Sequence, residues 1–72
     1  MKLYIELYFD SDGSDPMTVI KKMRSLGFEP VVGEYDFAKE YETPEDYREL
    51  VETIARALRG TGVRFRLITR RK

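Results

Sequence analysis

Phe28-Glu29-Pro30-Val31-Val32-Gly33-Glu34-Tyr35-Asp36-Phe37-Ala38-Lys39-Glu40-Tyr41-Glu42 is the stretch that decides how many strands this chain has. Val31, Gly33, Tyr35, Phe37, Lys39 and Tyr41 alternate with Val32, Glu34, Asp36, Ala38 and Glu40, a period of two that fits one long strand. The same residues fit two short strands turning near Glu34-Tyr35-Asp36.

The flanking segments weigh on that choice. From Lys2 to Phe9 the chain alternates strictly, with Leu3, Ile5, Leu7 and Phe9 on one face and Lys2, Tyr4, Glu6 and Tyr8 on the other. Near the other end, Val63, Phe65 and Leu67 alternate with Arg64, Arg66, Ile68 and Arg70. Strands of a parallel sheet are buried on both faces and read as continuous apolar runs, whereas antiparallel strands with one wet face alternate cleanly. Both outer strands alternate, so the expected fold is an α+β, ferredoxin-like β-α-β-β-α-β sandwich. Its sheet is antiparallel, both helices lie on one face, and residues 28–42 form a hairpin. The alternative is a three-stranded β-α-β-α-β sheet with an unbroken middle strand.

Two helices fill the gaps. Asp15-Pro16 reads as an N-cap followed by proline at the first helical position; Val19, Ile20 and Met23, flanked by Met17 or Leu26, form the apolar stripe, and Gly27 closes the helix. Thr43-Pro44-Glu45-Asp46 supplies a cap, a starting proline and two acids at the positive end of the helix dipole. Tyr47, Leu50, Val51, Ile54, Ala55 and Leu58 then share one face, and Gly60 and Gly62 end the helix and free the turn.

The 72 residues are read as a single small domain, 1–72. A chain this short buries only about 60% of the surface its unfolded form exposes. It has no Cys and no His, so Ser-His-Asp and Cys-His nucleophile systems and imidazole or thiolate zinc sites cannot be assembled. The carboxylates that remain suit a hard cation such as Mg²⁺. The chain also lacks Asn, Gln and Trp while 36% of its residues are charged, a composition expected of a hot-living source. Without cysteine, a signal-peptide pattern or an apolar run near the roughly 20 residues that span a bilayer, the expected location is the cytoplasm.

The formal charge of zero hides a strong polarity. All 13 acids lie between Glu6 and Glu52 and only six cations accompany them, giving 6 − 13 = −7 over residues 1–52. The last twenty residues hold seven cations and no acid, giving +7. Local fields follow local charge, so an anionic partner is an expectation for the C-terminal part.

Pairing of the first and last strands would set Tyr4 and Tyr8 among Arg64, Arg66 and Arg70 on the face that no helix covers. These five residues are the candidate partner-binding site. The expected function is a small non-catalytic interaction module that uses this face for self-association, as a homodimer through the sheet face or edge, or for contact with RNA or single-stranded DNA. The bland reading of the same residues is an ordinary exposed strand surface in which Glu6 and Arg66 form a cross-strand pair.

Asp10-Ser11-Asp12-Gly13-Ser14 resembles the first motif of the haloacid dehalogenase phosphatases: two aspartates one residue apart, followed by Gly and Ser, after an apolar strand. That resemblance implies Asp10 as nucleophile and Asp12 as acid/base. It covers five residues of a chain far shorter than that fold, and the favoured reading is a turn at Asp12-Gly13 and a helix cap at Asp15. In element order, with a first strand ending at Asp10, a helix closing at Gly27, a valine-rich middle segment, a second helix and a last strand, the chain is similar to the small CRISPR-associated endoribonucleases of the spacer-acquisition complex. This likeness implies the alternative function: a metal-dependent phosphodiesterase, acting as a dimer, with Asp10 as its metal-binding and catalytic residue and Asp12 beside it. Mg²⁺ enters only with that alternative, and otherwise no cofactor is expected.

Overall fold

The alternating residues at both ends of the chain become two long strands that pair side by side. A computed structural model describes residues 1–33 and 35–71. Glu34, within the expected hairpin turn, and Lys72, the last cation of the basic tail, lie outside the described residues. The elements run β1 (Lys2–Tyr8), α1 (Pro16–Ser25), β2 (Glu29–Pro30), β3 (Phe37–Glu40), α2 (Pro44–Leu58) and β4 (Arg64–Arg70). The sheet order is β2-β3-β1-β4 with every neighbouring pair antiparallel, the ferredoxin-like arrangement. The middle stretch is therefore a hairpin, but a frugal one: its first arm is just Glu29–Pro30.

Register sorts the side chains. β1 meets β4 along its whole length, from Lys2 opposite Arg70 to Tyr8 opposite Arg64, with Ile5 opposite Leu67 and Leu7 opposite Phe65. Leu3, Ile5, Leu7 and Phe37 are buried in one cluster with Val19 and Met23 of α1 and Ile54 and Leu58 of α2, so both helices cover the same face of the sheet. Burying a Leu, Ile, Val, Phe or Met side chain fully contributes about 1.5–3 kcal/mol, and this cluster is where the folding energy concentrates.

One expected position is corrected, and another is borne out without its expected side-chain bond. Phe9 belongs to the alternating set of the first strand, yet β1 ends at Tyr8 and Phe9 is exposed, because the following turn diverts the chain before its ring can reach the core. Asp15 occupies the N-cap of α1 without a side-chain cap bond; its main-chain carbonyl instead accepts from the N–H groups of Thr18 and Val19. The cap of α2 matches the sequence. Thr43 Oγ1 accepts from Asp46 N–H at 3.0 Å, and Asp46 Oδ2 accepts from Thr43 N–H at 3.3 Å, a reciprocal capping box.

Lys39 faces the core side, opposite Leu3, a position where a charge is costly unless it reaches a partner. Its ammonium donates to the carbonyl of Leu26 at 2.9 Å, the C-cap residue of α1, and lies 5.7 Å from the centre of the Phe28 ring. Gly27 is needed there twice over: its φ is +91°, and a Cβ would stand 2.7 Å from Lys39 Nζ.

At the opposite end the loop after β1 packs against the loop before β4. Ser14 N–H donates to Thr61 C=O at 2.9 Å, and a Cβ on Gly13 would sit 2.7 Å from that same oxygen. Buried Thr61 donates its hydroxyl to Leu58 C=O at 2.6 Å and accepts from Val63 N–H at 3.2 Å, ending α2 and launching β4. Thr61→Val keeps the shape but leaves the Val63 N–H without its acceptor. Unfolding in urea should show a loss of about 1–3 kcal/mol, and an unchanged midpoint would mean that the hydroxyl holds nothing together.

Candidate functional site on the open sheet face

The period of two that buries Leu3, Ile5 and Leu7 sends Lys2, Tyr4, Glu6 and Tyr8 to the other side of β1. There they are paired in register with Arg70, Ile68, Arg66 and Arg64 of β4. β3 adds Glu40 opposite Lys2 and Ala38 opposite Tyr4, and β2 adds Glu29 opposite Ala38. All five expected partner-binding residues, Tyr4, Tyr8, Arg64, Arg66 and Arg70, thus share one face with no helix over it.

Their contacts divide the face into two clusters. In the first, Glu6 accepts the Tyr8 hydroxyl at 2.9 Å and meets an Arg66 guanidinium nitrogen at 3.5 Å. Arg66 keeps two-thirds of its side chain exposed, so this pair is worth at most about 1 kcal/mol. Arg64, next along β4, is exposed opposite Tyr8. The second cluster is built around a residue of the expected hairpin turn that is not among the five candidate site residues. Tyr35 lies in the loop before β3, and its ring rests on that of Tyr4 with centroids 4.8 Å apart and planes tilted by 37°. Its hydroxyl accepts from Arg70 at 2.6 Å, and Lys2 Nζ stands 5.8 Å from the Tyr4 ring centre. Glu6, Tyr35, Arg66, Ile68 and Arg70 together line a shallow depression of about 460 Å³.

Tyr35 arrives there because the strand begins only at Phe37. Extrapolated alternation would have placed Tyr35 with Phe37 and Lys39, toward the helices. Instead Asp36 ends the ladder: its N–H donates to Ile5 C=O at 2.9 Å, and its carboxylate accepts from Leu7 N–H at 2.7 Å. A carboxylate thus occupies a place on β1 where a strand residue would otherwise bond, and the chain is released to bring Tyr35 across the open face. The available signal was the Gly33-x-Tyr-Asp run, whose turn-forming residues mark a break in the pattern.

Asp10 and Asp12 lie apart from this face's polar clusters in the exposed turn after β1. Asp10 Oδ1 accepts from Asp12 N–H at 3.1 Å, and Asp10 C=O accepts from Gly13 N–H at 2.9 Å. Because β1 ends at Tyr8, Asp10 is in the turn rather than closing the strand. Among the described residues, no group of three or more acidic side chains gathers where a metal could be held. Nor is any helix among them long and apolar enough to cross a membrane. A scan against protein-family models and searches of curated proteins and solved structures find no match to this chain, and the site is read from its own geometry.

The phenol of Tyr8 is held above the ordinary tyrosine range, first by its hydrogen bond to Glu6, then by desolvation and the Glu6 charge, with Arg66 opposing. A raised pKa means that the contact favours the folded state while the phenol is protonated and is lost as alkaline pH passes through the folded-state value. Replacing Glu6 with Ala should bring the Tyr8 pKa down toward about 10, followed through its ring-carbon resonances in an NMR titration. A titration identical to that of the parent chain would show that the two side chains do not interact in solution.

Proposed function

We propose that this chain is a small non-catalytic interaction module that works through the open face of its sheet. The observation that carries the reading is the placement of Tyr4, Tyr8, Tyr35, Arg64, Arg66 and Arg70 together on the one sheet face without a helix. Aromatic rings and guanidinium groups are the residue types enriched at the buried centres of interfaces. Tyr4, Tyr35 and Arg70 are held by contacts to one another, and Tyr8 and Arg66 by Glu6, which lowers the entropy lost on docking. On β1 the carboxylate of this face, Glu6, is engaged by Tyr8 and Arg66.

A second reading, contact with a single strand of RNA or DNA, is favoured by one specific feature. The half-exposed ring of Tyr8 lies beside Arg64 and Arg66, a stacking surface next to phosphate-binding groups. Phosphate contacts of this kind weaken steeply with salt.

Arg64→Ala combined with Arg66→Ala tests both readings. The parent chain is examined for concentration-dependent mass in solution and titrated with single-stranded oligonucleotides at two salt concentrations. The variant, with its fold checked by circular dichroism, should lose whichever association the parent shows by about tenfold or more, the scale of a lost interface anchor. A parent chain that neither self-associates nor binds oligonucleotides, or a variant that associates equally well, would overturn the proposal.

A further inference from the structure

Charge on the open face is graded across the sheet, and the sheet order sets the gradient. β4, at one edge, presents Arg64, Arg66 and Arg70; β1 presents one cation and one acid, Lys2 and Glu6; β3 and β2, toward the other edge, present Glu40 and Glu29. The middle carries the apolar surface: Tyr4 and Tyr35 in contact, with half-buried Ile68 on the β4 side, while Ala38 on the β3 side is buried. An apolar centre flanked by opposite charges on opposite sides is complementary to itself under one rotation.

We infer that the partner of the open face is a second copy of this chain, packed face to face about a two-fold axis parallel to the strands. The inference rests on the proposed use of this face and names its occupant. Such an axis exchanges left and right while keeping each cross-strand row at its level. β4 then comes over the second copy's β2, and β1 over its β3. Lys2 and Glu40 share a row, so Lys2 meets Glu40 of the second copy. Glu29 shares a row with Ala38, Tyr4 and Ile68, so it arrives between Arg66 and Arg70 of the other chain. Tyr4 and Tyr35 gather around the axis.

The alternatives fail on charge. A two-fold perpendicular to the strands but still between the faces would set one arginine column on the other. Pairing β4 with β4 edge to edge about Leu67 would place Arg64 opposite Arg70 in both directions, and like charges directly opposite are destabilising. The three arginines thus guard the seven-residue β4 edge while fitting the face-to-face arrangement.

Size sets the expected strength. Four strands spaced about 4.8 Å apart span roughly 19 Å, and β1 and β4 run about 23 Å, but β3 has four residues and β2 two, so the strands present roughly 320 Å². Two such faces cover on the order of 600 Å², below the size of a standard stable interface, so pairing through them is weak and reversible. The dimer is therefore expected to be favoured by high protein concentration and to weaken with salt, since its flanking charges stay near solvent.

Two reciprocal variants test the axis. Glu29→Lys with Glu40→Lys makes the β2–β3 side of the face basic, and Arg66→Glu with Arg70→Glu makes its β4 side acidic. Sedimentation velocity should show the parent chain passing from monomer to dimer with concentration, each variant alone weakened about tenfold or more, and the equimolar mixture forming a heterodimer. Circular dichroism checks each fold; if the acidic variant unfolds, Arg70→Glu alone against Glu29→Lys gives the same readout. Variants that self-associate like the parent, or a mixture that stays monomeric, would overturn the inference. A parent chain that is monomeric throughout yet binds oligonucleotides would overturn it too, while leaving the open face as the binding surface. A parent that does neither would overturn both.

Discussion

Pairing of β1 with β4 over seven consecutive positions is the constraint on which the other features of this molecule depend. Side chains on a strand alternate strictly, so fixing that register fixes in one step which residues reach the helices and which face solvent. With Ile5 opposite Leu67 and Leu7 opposite Phe65, the apolar halves of both strands close over one core. The same register sets tyrosines and arginines side by side on the reverse. A slip of one residue would bury Arg66 and expose Leu67, so core and surface are specified together.

The ends of the sheet show how this chain, which has no cysteine, keeps its backbone groups satisfied. Asp36 supplies a carboxylate to Leu7 N–H where β3 stops, and Thr61 joins the end of α2 to the start of β4. Lys39 performs a double task. Among the described residues, β2 reaches Ala38 and Phe37 and no outer strand lies beside Lys39, and an inward-directed charge at such an edge discourages pairing with other chains. Its ammonium reaches the end of α1, where the last carbonyls carry partial negative charge.

Much of this was legible in the sequence, and the reasons are physical. Leu3, Ile5, Leu7 and Val63, Phe65, Leu67 alternate without interruption, Thr43-Pro44-Glu45-Asp46 carries a complete capping signal, and Gly27 and Gly60 stand where a positive φ ends each helix. These signals are local, so the order of elements and the antiparallel sheet follow from them. The pairing of Tyr4 and Tyr8 with the arginine column needed one inference about long-range contact, and the register supports it. Tyr35 was not legible, because its place depends on Asp36 bonding to β1, a contact between residues 29 positions apart. Phe9 misled for the opposite reason: its alternation continues by one residue past the point where the turn at Asp10–Gly13 takes over.

The central claim concerns adjacency and register, and NMR reads both directly. Cross-strand nuclear Overhauser contacts should connect Ile5 with Leu67 and Leu7 with Phe65 on the helix side, and Tyr4 with Ile68 on the open side, with the Tyr8 ring accessible to a soluble paramagnetic agent. Contacts that pair β4 with β3 instead, or that join Ile5 to Arg66 or Ile68 in a shifted register, would contradict the account and dissolve the tyrosine and arginine face with it.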